Sequence, residues 1–184
     1  MLNQEQLAIL RTNVLANADT LAAYNAGDLA TLAALYNAAA VPAAPVWDRQ
    51  VVVDPIHDGI DYTKYTPTDA ADGTAIYTNR ILAIQTKQMN LQNMMVGKVT
   101  LDATKATLRN GIKDATTAIP AGTGGANIHP GGASGTTVLT TLLRPTNATR
   151  FEKLFSSGTA TTGVVVGELL TLEGPIHELQ FAEL

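Results

Sequence analysis

The residues best suited to chemistry form a short acidic stretch with one histidine, made up of Asp54, His57, Asp58 and Asp61. On a helix this spacing gathers oxygen and nitrogen ligands on one side, as a metal-dependent hydrolase would need. A structural role explains the same residues, because Asp54-Pro55 has the form of a helix cap followed by the first helical residue. No second histidine lies at the spacing of a zinc site. We therefore predict no metal site and keep the small hydrolase as an alternative.

A glycine-rich segment from Pro120 to Gly135 is the second candidate, because backbone amides that lack neighbouring side chains can bind phosphate. Its spacing does not fit a phosphate site. A P-loop needs a lysine before its final serine or threonine, and none precedes Thr136, while Gly122-Thr123-Gly124 lacks the later glycine of the dinucleotide fingerprint. We therefore expect a loop that is mobile or becomes ordered on a partner.

Other signatures of catalysis are missing. The chain has no cysteine, which excludes thiol nucleophiles, thiolate zinc sites and disulfides. Neither Ser134 nor Ser157 stands in a Gly-x-Ser-x-Gly elbow, and His129 and His177 have no catalytic partner nearby in sequence. The glutamates near the C-terminus are better explained by solvation or by protection of strand edges than by glycoside hydrolysis. We predict no catalytic residue and no cofactor.

The composition points to assembly rather than to catalysis. Charged residues make up 15% of the chain, against about a quarter in an ordinary soluble domain. The net charge of −4 argues against a dedicated nucleic-acid binder, which normally carries a basic excess. No apolar run approaches the roughly 20 residues of a membrane span, and the N-terminal residues do not have the pattern of a signal peptide. A chain with so little surface charge is expected to bury its surface against other proteins.

Two helix faces are candidates for contacts with partners. Lys105, Arg109 and Lys113 recur every four residues and form a basic stripe with Lys98 upstream, which fits an acidic partner, passing nucleic acid or an ordinary solvated face. The long helix carries an uncharged polar face that suits packing between like subunits or, equally, simple exposure to water. This face consists of Gln85, Gln88, Asn90, Gln92 and Asn93.

Apolar periodicity predicts a mainly α fold: a helical bundle with a long central helix, a glycine-rich loop before the last helices and a C-terminal β-hairpin. Asn3 is placed to cap the first helix, and Gly27-Asp28 separates a second helix from a third. The long helix runs from Ala75 to Val96, and Asp102 begins an antiparallel partner for it. Its buried stripe consists of Tyr77, Ile81, Ile84, Gln88, Leu91 and Met95.

The domain boundary is predicted after residue 158. Residues 1–158 form the helical bundle domain, with loops at 63–74 and 120–135, and residues 159–184 form a C-terminal extension. In this extension Glu173-Gly174-Pro175 lies between two segments rich in branched residues, which is typical of a β-hairpin. An isolated hairpin is marginal in water, so this one is expected to pack on the bundle or on a neighbouring molecule.

Several segments, taken in order, resemble a group of small structural proteins of tailed bacteriophages, the neck or head-tail adaptor components. The segments are Leu32-Ala33-Ala34-Leu35-Tyr36-Asn37, Val46-Trp47, Leu108-Arg109-Asn110-Gly111-Ile112-Lys113-Asp114, Arg144-Pro145, Ala148-Thr149-Arg150-Phe151-Glu152-Lys153-Leu154-Phe155, Ser157-Gly158-Thr159 and Leu172-Glu173-Gly174. They span most of the chain, and they contain packing and turn residues rather than catalytic ones.

The resemblance implies a mostly helical virion subunit, assembled in the host cytoplasm, that joins copies of itself into a ring, expected to be a dodecamer. The ring would lie between the portal protein and the tail or other neck proteins, and it would extend a channel that double-stranded DNA passes without sequence-specific binding. A tail-completion or tail-terminator protein is the alternative within the virion. No metal, cofactor or membrane is implied. The residues expected to contact partners are Lys105, Arg109, Lys113, Gly124, Gly125, Gly131, Gly132, Glu173, Gly174 and Phe181.

Overall fold

The computed structural model describes residues 2–60, 62–65, 75–117, 135–160 and 165–184. The fold is mainly α, as predicted, with small antiparallel strand pairs. In chain order the elements are α1 (Gln4–Ala16), α2 (Ala18–Asn25), α3 (Leu29–Asn37), β1 (Val51–Val52), α4 (Asp54–Asp58), a 3-10 turn (Tyr62–Tyr65), α5 (Ala75–Met95), β2 (Thr100–Leu101), α6 (Ala106–Thr116), α7 (Gly135–Thr140), α8 (Arg150–Leu154), β3 (Ser156–Ser157), β4 (Leu169–Leu170) and α9 (Glu178–Phe181).

The chain divides into two compact units. The first consists of Met1–Val46, Pro145–Ala160 and Val166–Leu184, and the second of Trp47–Arg144 and Thr161–Val165. This division differs from the predicted boundary after residue 158, because the C-terminal residues pack with the N-terminal helices. Within the described ranges, no helix is both long enough and apolar enough to cross a bilayer.

Side-chain caps stabilise the first turns of α1 and α3 in the first unit. Asn3 caps α1 as predicted: its side chain accepts the Gln6 N–H at 2.8 Å, and the Gln6 side chain accepts the Asn3 N–H at 2.9 Å. Gly27 takes a positive φ of 69° between α2 and α3, and the Asp28 carboxylate accepts the Thr31 N–H. These bonds satisfy amides that a helix leaves unpaired at its start.

The core of the first unit joins the N-terminal helices to the C-terminal residues. Tyr36 on α3 is fully buried, and its ring centre lies 5.5 Å from that of Phe181 on α9. Its hydroxyl donates to Asn13 Oδ1 at 2.7 Å, which gives this buried polar group a partner. The buried members of this core are Leu10, Val14, Ala23, Leu32, Ala33, Tyr36, Phe151, Ile176 and Phe181.

The prediction of a C-terminal β-hairpin around Glu173-Gly174-Pro175 is wrong. Strand β4 pairs antiparallel with β3, with Ser156 opposite Leu170, and the residues after Pro175 lead into helix α9. The Asn37 side chain holds this segment on α3, because its Nδ2 donates to the Ile176 carbonyl and its Oδ1 accepts the Ile176 N–H, both at 2.9 Å. Those backbone groups are therefore not available to pair within a hairpin.

In the second unit, α5 and α6 pack antiparallel, as predicted. Lys87 binds Asp114, whereas Met94 lies against Gly111, so later residues of α5 contact earlier residues of α6. Ile84, Leu91 and Met95 of the predicted stripe are buried. The predicted start of α6 at Asp102 is wrong, because the Asp102 carboxylate accepts hydrogen bonds from Thr104 within the preceding turn and Lys105 precedes the first helical residue.

The short link between these helices contains β2, which pairs antiparallel with β1 so that Val51 lies opposite Leu101. Both of these side chains are buried, while Val52 on the other side of the strand is exposed. This is the alternation expected of a strand with one buried face. The core that they join consists of Trp47, Val51, Val53, Ile56, Ile60, Tyr65, Ile84, Leu91, Met95, Leu101, Ala103, Ile112, Ala115, Val138, Leu139 and Leu142.

Candidate interaction surfaces

Three residues of the acidic stretch, Asp54, His57 and Asp58, lie on α4. Asp54 and Asp58 are exposed, whereas His57 is half-buried and its Nδ1 lies 2.5 Å from the Tyr62 hydroxyl. The predicted cap is wrong by one residue: Val53 is the cap, and Asp54 occupies the first turn, where a negative charge is favourable. Asp61 lies outside the described residues. Among the residues that the structure does describe, no three histidine or carboxylate side chains are grouped closely enough to hold a metal ion.

The basic stripe on α6 does not present three exposed cations. Lys105 and Lys113 are exposed, but Arg109 is half-buried. Its guanidinium lies 4.5 Å from the centre of the Trp47 ring, and its Nη1 donates to the carbonyls of Ala103 and Thr104 at 2.6 and 2.8 Å. Desolvation lowers the pKa of Arg109 from its ordinary value. This arginine therefore joins α6 to the turn before it, and only its neighbours face water.

The other residues expected to contact partners fall into three groups. The glycines Gly124, Gly125, Gly131 and Gly132 lie outside the described residues. Glu173 is exposed. Gly174 takes a positive φ of 92° and donates its N–H to Glu152, and Phe181 is 2% exposed in the core of the first unit. In this conformation Phe181 is a packing residue, because its ring is covered by the N-terminal helices of its own chain.

Glu168 is one of the C-terminal glutamates for which solvation or protection of a strand edge was predicted, and it is fully buried instead. Its carboxylate accepts hydrogen bonds from the Lys153 ammonium, the Ser156 hydroxyl and the Ala160 N–H. Burial alone would raise the pKa of Glu168, but the bonds from Lys153 and Ser156 outweigh it and hold the pKa below its ordinary value. The carboxylate thus anchors the segment that leads to β4.

Glu152 is a second buried carboxylate in the first unit. Its Oε2 accepts the Thr149 N–H at 2.9 Å and its Oε1 accepts the Gly174 N–H at 3.0 Å. The Thr149-x-x-Glu152 spacing is the sequence signal of this cap, and it escaped the sequence analysis. Both glutamates hold the chain to itself, so neither forms a binding site.

The solvent side of α5 carries a stripe of apolar and polar side chains, of which only the polar ones belong to the predicted uncharged face of the long helix. Leu82, Met89 and Val96 recur every seven residues and are 55%, 56% and 74% exposed. Gln85 and Gln92 lie between them and are exposed as well. Val96 directly follows the last residue of α5, and its N–H still donates to the Gln92 carbonyl at 2.7 Å. We call these five residues the α5 stripe.

The α5 stripe has the spacing of a helix-helix seam and carries no charge. Alternate steps of three and four residues are the pattern of coiled-coil contacts. The only charged side chain between residues 81 and 96 is Lys87, which is bound to Asp114 rather than to the stripe. The seam formed by Ile84, Leu91 and Met95 is covered by the core of the second unit. Helix α5 therefore has one covered seam and one open seam.

A second open surface lies beside α1 in the first unit. A groove of about 470 Å³ is lined mostly by apolar surface, and the exposed Ile9 is its largest residue from α1. We call it the α1 groove. Its lining residues are Glu5, Ala8, Ile9, Thr12, Asn13, Ala16 and Leu154.

No protein-family model, no curated protein and no solved structure matches this chain. Exposed apolar side chains grouped on one surface are characteristic of sites where proteins bind one another.

Proposed function

We propose that this chain is a virion structural protein of a tailed bacteriophage, a head-tail connector subunit that forms a ring between the portal and the tail. The observation that carries the proposal is the open α5 stripe on a chain with few charges. The segments that resemble neck proteins supply the setting, and the stripe supplies a surface that an assembly would cover.

The stripe supports assembly because its exposure costs free energy in an isolated chain. Burial of apolar surface contributes about 25 cal/mol per Å², so Leu82, Met89 and Val96 favour any state in which a neighbouring protein covers them. The amides of Gln85 and Gln92 each offer both donors and an acceptor, and they can be satisfied in such a contact without a charged partner.

The electrostatics fit a channel that DNA passes without being held. Non-specific DNA affinity comes chiefly from lysine and arginine bound to phosphates. The net charge of the chain is −4, and the central arginine of the basic stripe lies over Trp47 instead of facing solvent. Lys105 is moreover 3.7 Å from Asp102, which offsets part of its charge. Few phosphates would be bound at this face.

The test is assembly with the portal protein of the same phage. We expect light scattering and negative-stain microscopy of the mixture to show a ring of this chain stacked on the portal ring. A ring that binds the end of the tail tube and not the portal would identify the chain as a tail-terminator protein instead of a connector. A stable monomer that binds neither the portal nor the tail tube, and that binds one divalent metal ion through the acidic stretch, would overturn the proposal in favour of the hydrolase.

A further inference from the structure

We propose that the α5 stripe of one copy lies in the α1 groove of the next copy, antiparallel to α1, with Lys98 of the first copy beside Glu5 of the second. This inference rests on the proposed ring, since it names the contact between neighbouring subunits. Its observations are independent of the resemblance: an open seam on one surface, an open groove on another, and one charge at the end of each.

The shapes are complementary. The stripe projects three large apolar side chains at regular intervals, Leu82, Met89 and Val96. The α1 wall of the groove includes two small residues, Ala8 and Ala16, which leave room for such side chains. At a rise of about 1.5 Å per residue, the α1 wall is roughly 16 Å long and the stripe roughly 21 Å, so Val96 and Met89 lie within the groove and Leu82 extends past Ala16. An amphipathic helix in an apolar groove is a common mode of protein recognition, with anchors spaced along one helix face.

The charges determine which helix fits the α1 groove and in which direction it lies relative to α1. Glu5 is the one charged residue among those that line the groove, and it lies at the end of the groove where α1 begins. A helix placed there must be uncharged along its length and positive at that end. The α5 stripe meets both conditions, because it has no charge of its own and the exposed Lys98 lies two residues beyond Val96. Pairing Lys98 with Glu5 makes the two helices antiparallel.

The contact has the symmetry that a ring requires. Two different surfaces meet, so each copy uses its stripe toward one neighbour and its groove toward the other. Such a heterologous contact closes into a ring or continues into a filament, whereas two like stripes packed together would give only a dimer. A single helix in a groove is smaller than a standard interface of about 800 Å² per partner. We therefore expect weak association of free chains and stable association in the portal-bound ring, where many contacts act together.

Cross-linking in the portal-bound assembly tests the contact directly, because the chain has no cysteine of its own. Two single-cysteine variants, Val96→Cys and Ala8→Cys, are mixed in equal amounts, assembled on the portal and treated with a short bis-maleimide reagent. We expect a covalent dimer that joins residue 96 of one chain to residue 8 of another, identified by peptide mass. The control mixture, Val96→Cys with Ala16→Cys, should give at least fivefold less dimer, because that pair lies at opposite ends of the antiparallel contact.

A charge exchange gives a second readout that does not depend on cysteine geometry. Glu5→Lys and Lys98→Glu should each reduce the fraction of assembled chain at least threefold, and the double variant should restore it. Glu178→Lys is the matched control, because Glu178 is also an exposed glutamate in the first turn of a helix and should leave assembly unchanged. Circular dichroism and thermal unfolding confirm that each variant still folds.

The outcomes separate this contact from the proposed function. Rings that form on the portal without the 96-to-8 link, or in which the double charge variant stays as weak as the single ones, overturn the contact and leave the connector proposal standing. A Val96→Cys variant that links to itself shows like stripes paired and also overturns it. Failure of the wild-type chain to form any ring on portal or tail overturns the proposed function as well.

Discussion

The two units differ in what their polar side chains do. In the first unit, Asn37, Glu152 and Glu168 bind backbone groups and fix the C-terminal segment within its own chain. In the second unit, Gln85 and Gln92 face water on a helix whose opposite seam is buried. Polar residues close to a core can therefore either hold the chain to itself or leave a surface open to solvent. Among the described residues, the long open seam lies in the second unit.

Truncating the two seams of α5 in turn distinguishes the covered seam from the open one. Ile84 is 1% exposed, so we expect Ile84→Ala to lower the free energy of unfolding by about 3 kcal/mol, through lost burial and a residual cavity. Leu82→Ala on the exposed stripe should change it by less than about 0.5 kcal/mol. Urea unfolding followed by circular dichroism measures both. Equal losses would mean that Leu82 is covered in the free chain, contrary to the open seam.

Loss of the Glu168 carboxylate tests whether the first unit depends on its internal anchors. We expect Glu168→Ala to cost about 2 kcal/mol, because the Ser156 hydroxyl and the Ala160 N–H lose their buried acceptor. Lys153 is 40% exposed and can turn to water, which keeps the loss below that of a fully buried ion pair. Glu178→Ala on the exposed side of α9 serves as the control and should be neutral. Matching losses in the two variants would show that burial of Glu168 contributes nothing specific.

The lowered pKa of Glu168 predicts how the stability of the fold changes with pH. The pKa of Glu168 is held below its ordinary value of 4.5 in the fold, so its contribution to stability is present above that ordinary value. As the pH falls toward the folded-state pKa, protonation removes the contribution. We therefore expect the difference in urea midpoint between the wild type and Glu168→Gln to be constant near neutral pH and to shrink in acid. A difference that grows on acidification would contradict the lowered pKa.

The smallest expected effect is that of Arg109→Ala, which tests whether Arg109 stabilises the fold or binds a partner. Arg109→Ala should cost about 1 kcal/mol through the lost contact with Trp47. Trp47 is the single tryptophan of the chain, so its fluorescence reports the change directly. Ring assembly on the portal should be retained, whereas a basic patch essential for partner binding would lose it. Lys113→Ala, which removes an exposed cation from the same helix, provides the comparison.

Local signals predicted much of the fold. The cap at Asn3, the turn at Gly27 and the buried seam of α5 each depend on residues within a few turns of one another. The C-terminal segment could not be predicted in this way, because Ile176 pairs with Asn37, which is 139 residues earlier in the chain. A Glu173-Gly174-Pro175 turn is compatible with a hairpin or with a turn into α9, and only the distant partner decides between them.

The open surfaces were harder to predict for a different reason. Two seams of similar spacing run along α5, and the sequence shows which of them is more apolar. It does not show that α6 and the core cover only the more apolar seam. The polar members of the other seam were recognised, while Leu82, Met89 and Val96 were not. The α1 groove depends on Leu154 lying beside α1, and no local pattern reports that contact.

A charge placed in the middle of the α5 stripe tests whether ring assembly covers this surface. Met89→Lys and the wild-type chain are each mixed with portal rings, and the mass of the complex is measured by light scattering. Leu179→Lys is the matched control, because Leu179 is an exposed leucine of the first unit outside both the stripe and the groove. We expect Met89→Lys to fold as the wild type does but to form no ring on the portal, while Leu179→Lys still forms one. A ring of full mass with Met89→Lys would contradict it.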